Sequence, residues 1–148
     1  IENLQYVTHT PIAVEAVIEK YVQLFDLPLQ AQHLSLQLDL QPAITLLLHP
    51  VLADTLVSNL LGNAIKYNLP HGRISITLDA QACTFRNTSA LPPLPVTSHF
   101  ERFKKYHAYT NDSNGLGLAI VQRICEAQGW QLAYHYAHHL HVFEVKFR

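Results

Sequence analysis

The sequence has no methionine among its 148 residues and begins at Ile1. That absence predicts a piece of a longer chain, cut at a chosen boundary. Glycine is scarce, five in all, so the position of each is informative. Charged residues are 14% of the chain against 49% hydrophobic. So apolar a composition excludes a disordered tail, which lacks the material for a core. Positive charge is not in excess: ten Lys and Arg face eleven Asp and Glu, for a formal net charge of -1. A domain that grips nucleic acid carries a basic footprint, so nucleic acid is excluded as a partner. No apolar run approaches the ~18 residues that span a bilayer, and no signal-peptide pattern opens the chain. Cys83 and Cys125 stand alone. Neither a disulfide framework nor metal-like spacing follows from them, and a reducing cytosol fits. At ~100–200 residues per domain, the length supports one domain over residues 1–148.

What is present reads as alternating helices and strand pairs. Residues 1–7 suit a short strand. Thr10-Pro11 is a helix-start signal, a hydroxyl cap followed by Pro at the first helical position. Val14, Val17, Ile18, Tyr21, Val22 and Phe25 follow at helical spacing, predicting a helix to about Phe25. His33 to Asp39 alternates, as a half-buried strand does, and residues 44–48 suit a second, more buried strand. Pro50 opens a mostly apolar helix to Lys66, with Pro70 and Gly72 beyond its end. Residues 73–78 and 83–86 suit a hairpin. Residues 88–114 form a long irregular stretch with Pro92, Pro93 and Pro95, the length of a functional lid. Leu116 to Gln128 predicts a helix stopped by Gly129, and residues 131–136 and 141–147 a closing hairpin. The expected fold is an α/β two-layer sandwich, a mixed sheet with helices on one face, rather than regular βαβ alternation.

Three segments carry chemistry. In Asn59-Leu-Leu-Gly-Asn-Ala-Ile-Lys-Tyr67, Asn59 and Asn63 are four apart, with Lys66 and Tyr67 a turn on. That spacing sets them on one helix face. Amide oxygens are hard ligands that suit Mg²⁺, which keeps waters and substrate phosphates as its other ligands. A lysine one turn on would meet a phosphate. Amides that cap local backbone, beside a solvated lysine, fit the same spacing equally well. In Asn114-Gly-Leu-Gly-Leu-Ala-Ile120, two glycines bare backbone N–H groups at a helix N-terminus, a natural phosphate cradle. A flexible loop before a helix would look the same. In Phe100-Glu-Arg-Phe-Lys-Lys-Tyr106, two aromatics three apart sit beside Arg102, Lys104 and Lys105. They suit either a lid anchored by its aromatics with cations over an anionic ligand, or a short amphipathic turn.

In this order the three segments resemble the catalytic, ATP-binding domain of sensor histidine kinases. That family shares the Bergerat-type fold with the gyrase, heat-shock chaperone and mismatch-repair ATPases. Asn59–Tyr67 is similar to its N box, Phe100–Phe103 to its F box and Gly115–Ile120 to its second glycine box. The resemblance spans essentially the whole chain, and the F box points to histidine kinases within the superfamily. It implies binding of ATP or ADP with Mg²⁺, the metal on Asn63 and supported by Asn59. It implies Lys66 on a phosphate and Tyr67 on the adenine or sugar side. Lys105 would be the lid cation near the γ-phosphate, with Arg102 and Lys104 beside it. Gly115 and Gly117 would cradle phosphates, and Leu116 and Leu118 would pack around the nucleotide. The first glycine box of the family, D-x-G-x-G, is here Asn87-Thr-Ser-Ala-Leu91. Asn87 replaces the Asp that accepts from the adenine amino group, and its side-chain oxygen still accepts. Ser89 and Leu91 replace both glycines, so the loop approaches the ligand less closely, and Ser113 stands where the second box has its first Gly.

The resemblance further implies phosphoryl transfer to a histidine on a separate helical domain, which is the partner of this one. A response regulator follows downstream, and the domain is cytoplasmic in a membrane-anchored parent. No catalytic residue is assigned on this chain, because none of its ten His lies in the family's phosphoacceptor motif. Dimerisation belongs to the helical domain, so this chain alone is expected to be a monomer. His135, His138, His139 and His141 crowd the last hairpin, where a polar turn and strand face outweighs a transition-metal site. The altered loop at Asn87–Leu91 favours one alternative, a degenerate domain that only contacts its partner helices. A serine/threonine-directed kinase or ATPase of the same superfamily is a further rival, and the F box counts against it.

Overall fold

The computed structural model describes residues 9–89, 91–93 and 116–148. The strand expected at residues 1–7 and most of the expected lid, with Phe100, Arg102, Phe103, Lys104, Lys105, Ser113 and Gly115, lie outside the described residues.

The elements run β1 (Thr10–Ala13), α1 (Val14–Leu24), α2 (Asp26–Ala31), β2 (Ser35–Leu40), β3 (Thr45–Leu48), α3 (Pro50–Lys66), β4 (Arg73–Leu78), β5 (Ala82–Asn87), α4 (Leu116–Gln128), β6 (Gln131–Ala137) and β7 (Leu140–Lys146). Five strands form a sheet in the order β2-β4-β5-β7-β6. β2 and β4 are parallel, and the other neighbours are antiparallel. The sheet is therefore mixed, as expected. Ile74, Ile76, Leu78, Cys83, Phe85, Phe143 and Val145 point from it into one core with Ile18 of α1, Leu60 and Leu61 of α3, and Val121 and Ile124 of α4. The alternate residues Ser75, Thr77, Arg86 and Glu144 face away, and Arg86 Nη1 donates to Thr77 Oγ1 at 3.3 Å.

The helix start expected at Thr10-Pro11 is a strand instead. β1 pairs antiparallel with β3 in a separate two-stranded sheet, Thr10 opposite Leu48 and Ala13 opposite Thr45. Pro11 is tolerated because such a strand is an edge that needs few donors. α1 begins three residues later, at Val14 rather than Pro11, and no side chain caps it. Val14 N–H donates instead to the Ile44 carbonyl, at 3.1 Å. Tertiary pairing here overrides a local cap signal. β3 is less buried than expected, with only Leu48 fully enclosed. The short α2, closed by an Asp26–Gln30 side-chain bond at 2.9 Å, was not expected.

The helices that carry the site follow their sequence signals. α3 has Pro at its first position, where the missing N–H costs nothing, and the His49 ring accepts from Val51 N–H at 3.0 Å. Its apolar positions from Leu52 to Ile65 are buried at helical spacing. α3 packs between α1 and α4, central to the helical layer. α4 ends at Gly129, at φ 77°, with Trp130 N–H on the Cys125 carbonyl and Gly129 N–H on that of Glu126. This is the Schellman arrangement that a left-handed glycine permits. Cys83 and Cys125 are free and buried, and burial pushes each thiol up to about 12.

Candidate functional site

Between α3 and the start of α4 lies an open cavity of about 380 Å³, lined by Ser58, Asn59, Gly62, Asn63, Lys66, Gly117 and Ile120. The fold thus brings together Asn59, Asn63, Lys66 and Gly117 from two segments far apart in sequence. The i, i+4 spacing of the two amides puts both on the wall that α3 turns to α4.

The polar groups here are only partly committed. Asn59 Nδ2 donates to the Thr55 carbonyl at 2.7 Å, which orients its side chain. A Cβ on Gly117 would lie 2.9 Å from Asn59 Oδ1 and 3.8 Å from Asn63 Nδ2. Only glycine lets the first turn of α4 come this close to the two amides. Asn63 Nδ2 is buried and has no hydrogen-bond partner. Leaving a buried amide unpaired costs ~1–3 kcal/mol, so a polar ligand or water is called for at this point. The two ends of an amide are assigned from their partners, and turning Asn63 over presents its oxygen instead. Hard oxygen donors beside a cavity with room for waters and phosphates suit Mg²⁺, so the residues present fit the ion. Lys66 lies at the exposed rim, its Nζ 5.9 Å from the Tyr67 ring centroid.

Other expected residues sit nearby without lining the cavity. Tyr67 is the residue that closes α3, and its carbonyl accepts from Ser89 Oγ at 2.9 Å. Asn87 is buried at the end of β5, its Nδ2 donating to the Thr88 carbonyl at 2.7 Å. That bond uses the amide nitrogen and leaves the side-chain oxygen to accept. Leu118 is in the core, 1% exposed, while Ile120 takes the cavity-facing place. Leu116 opens α4. Gly115, Arg102, Lys104 and Lys105 lie outside the described residues. Ser58, Gly62 and Ile120 were missed, although Gly62 lies three residues from Asn59 and Ile120 three from Gly117, on the same helix faces, and Ser58 lies four from Gly62.

The knot around Asn68 and the burial of His141 were not read from the sequence. Buried Asn68 bridges α3 to β4, donating to the carbonyls of Ala64 (3.0 Å) and Arg73 (3.1 Å) and accepting from Leu69 N–H (2.8 Å). Thr88 Oγ1 also donates to Asn68 Oδ1. Gly72 packs against this knot. Among the C-terminal histidines, His141 is buried, and His138 and His139 form the turn. His141 pairs with Tyr136 in register, so His135 points to the opposite face. Among the described residues no group of three or more His, Cys, Asp or Glu could hold a metal.

A mixed sheet layered by α3 and α4, with two amides and Gly117 around one cavity, is the arrangement expected of an α/β domain of the Bergerat type. Residues 49–146 match the histidine kinase-, DNA gyrase B-, and HSP90-like ATPase family, and the chain belongs to it. The sensor protein QseC of Salmonella typhi is 31% identical over 136 residues, covering 90% of this chain and 30% of that protein. QseC of Escherichia coli K12 is 30% identical over 142 residues, with the same coverage. The chain thus spans under a third of the length of these relatives. The structure of the cytoplasmic segment of histidine kinase QseC superposes with a TM-score of 0.74 at 23% identity, covering 100% of this chain and 82% of that one. The catalytic domain of histidine kinase ThkA gives a TM-score of 0.81 at 20% identity, covering 95% and 97%. The last two likenesses concern the fold.

Proposed function

We propose that this chain is the catalytic, ATP-binding domain of a sensor histidine kinase, acting with a phosphoacceptor histidine on a separate helical domain. The observation that carries the reading is the buried, unpartnered amide of Asn63 beside Gly117 in the α3–α4 cavity. Asn63 would hold Mg²⁺, with Asn59 fixing the geometry next to it. Lys66 at the rim would meet phosphate oxygens, and Gly117 would admit them to the first turn of α4. Asn87 would receive the adenine amino group on its free oxygen. Lys105, with Arg102 and Lys104, would supply positive charge from the lid. Bound Mg²⁺ would neutralise phosphate charge, and phosphoryl transfer depends chiefly on such positioning and electrostatics. A response regulator would take the phosphoryl group onward. The domain would work on the cytoplasmic side of a membrane-anchored parent and be monomeric by itself.

The test is calorimetric titration of the 148-residue chain with ADP and Mg²⁺, beside Asn63→Ala. Binding to the wild type is expected. The variant should bind at least ~10-fold more weakly, the weight of one lost charge-assisted contact, with an unchanged circular dichroism spectrum. An Asn63→Ala chain that unfolds would make Asn63 a structural residue. The glycine-poor stretch after β5 favours a second reading, a non-catalytic module that contacts its partner helices. Absence of heat from the wild type with millimolar-scale ADP would select it.

A further inference from the structure

The chain leaving β5 lacks the glycines that would let it drape over a ligand, yet it is tethered at both flanks. On one side Ser89 Oγ bonds to the Tyr67 carbonyl at 2.9 Å, at the end of the helix that carries the cavity amides, and accepts from Leu91 N–H at 3.0 Å. On the other side His141 Nε2 lies 3.1 Å from the Leu91 carbonyl, and its Nδ1 lies 3.0 Å from the Tyr134 hydroxyl. A carbonyl only accepts, so Nε2 must carry the proton. In the neutral ring Nδ1 is then the acceptor and Tyr134 the donor.

We propose that His141 is a positioning residue for nucleotide binding, tying the Leu91 carbonyl to Tyr134 and so fixing the path of the chain between Asn87 and the end of α3. This rests on the nucleotide-site reading. His141 lies directly opposite Asn87 in the β5–β7 register, so it holds the strand end that presents the acceptor oxygen. The latch has a defined charge state. The groups that face the ring are Tyr134, the edge of Tyr136 at 5.3 Å between centroids, Asn87 and the Leu91 carbonyl. α4 turns Leu118, Val121 and the Cys125 thiol to the same core. Glu144 and Lys146 pair with each other at 4.0 Å on the opposite face of β7. Among the described residues no carboxylate therefore faces the ring to stabilise an imidazolium. Burial lowers the His141 pKa below its ordinary 6.5, the Leu91 bond pulling the other way. A depressed value means that the neutral ring, with Tyr134 donating to Nδ1, is fully formed above 6.5 and gives way as pH falls through the lower folded value; Nε2–H still donates to Leu91, and the Tyr134 side of the tie is what is lost. Protonation would put a second donor against Tyr134, which must then reverse its hydroxyl.

The experiment titrates ADP with Mg²⁺ into wild type, His141→Gln and His141→Phe from about pH 7.5 to about pH 5.5, the range over which histidines change charge. Glutamine keeps a donor and an acceptor but does not titrate, and it shares with wild type any titration of the nucleotide itself. Wild-type affinity is expected to fall more than that of the Gln variant toward the lower end of this range, by less than about tenfold because burial holds the His141 pKa below 6.5. The Phe variant should be weaker at the upper pH, with a profile as flat as that of Gln. ¹⁵N NMR should show His141 as the Nε2–H tautomer near neutrality. Identical pH profiles for wild type and Gln, or the Nδ1–H tautomer, overturn the role of His141 while leaving the nucleotide site standing. Absence of ADP binding to wild type at the upper pH overturns both. If the Phe variant fails to fold, the Gln comparison and the tautomer decide.

Discussion

Replacing Gly72 by alanine isolates the packing knot that joins the end of α3 to β4 and to the chain leaving β5. The added methyl would overlap Asn68 Oδ1 and Thr88 Oγ1 and would sit 2.8 Å from the Leu69 carbonyl oxygen. None of these can retreat freely. Asn68 is buried and holds carbonyls of Ala64 and Arg73, and the Leu69 carbonyl accepts from Gly72 N–H at 2.9 Å. Overpacking of a well-filled site costs about 1–3 kcal/mol, and loss of the Thr88–Asn68 hydrogen bond adds ~1 kcal/mol. The expected destabilisation is roughly 2–4 kcal/mol, which lowers Tm by roughly 5–15 °C in a chain of this size. Thermal melting followed by circular dichroism, with urea unfolding for the free energy, measures it. Gly62→Ala is the control. Its new methyl would find only Phe25 Cζ, at 4.0 Å, in the middle of α3, where Gly→Ala stabilises by about 0.5–1 kcal/mol. A Gly72→Ala chain that melts with or above wild type refutes the crowding, as does a Gly62→Ala loss equal to that of Gly72→Ala.

The β6–β7 turn places His138 and His139 at φ 53° and 65°, the left-handed pair that two-residue hairpins fill with Asn-Gly. The double substitution His138→Asn, His139→Gly should therefore raise stability by about 1 kcal/mol; a lower melting temperature would count against a relieved turn. Cys83 and Cys125 are expected to resist a thiol reagent in the native state near neutral pH. Both are buried with pKa values pushed up to about 12, and the thiolate is the reactive form. Modification that outpaces unfolding, measured by pulse labelling, would contradict that burial.

The parts of the fold that the sequence makes legible are those with a strong period and a terminal signal. α3 combines Pro50 with apolar residues at every turn, α4 ends at Gly129, and the β4–β5 and β6–β7 hairpins alternate. The site is half legible for the same reason, since Asn59, Asn63 and Lys66 lie at helical spacing and Gly117 opens a helix. What stayed hidden depends on distant partners. Thr10-Pro11 looks like a helix start until β3 pairs with it. Gly72 reads as a chain breaker, although its place is set by Asn68 and Thr88. The bonds from Ser89 to Tyr67 and from Leu91 to His141 have no period at all, because they join side chains to backbone across the fold.

Asn59 and Asn63 stand on the central helix, with α1 on one flank and α4 on the other. A ligand held by these amides is therefore coupled to the cooperative unit of the domain rather than to a detachable flap. Its binding energy appears as resistance of the whole fold to unfolding, ~2.7 kcal/mol when the free ligand is at a hundred times its Kd. Occupancy of the site can thus be read from the melting of the protein, without following chemistry at all.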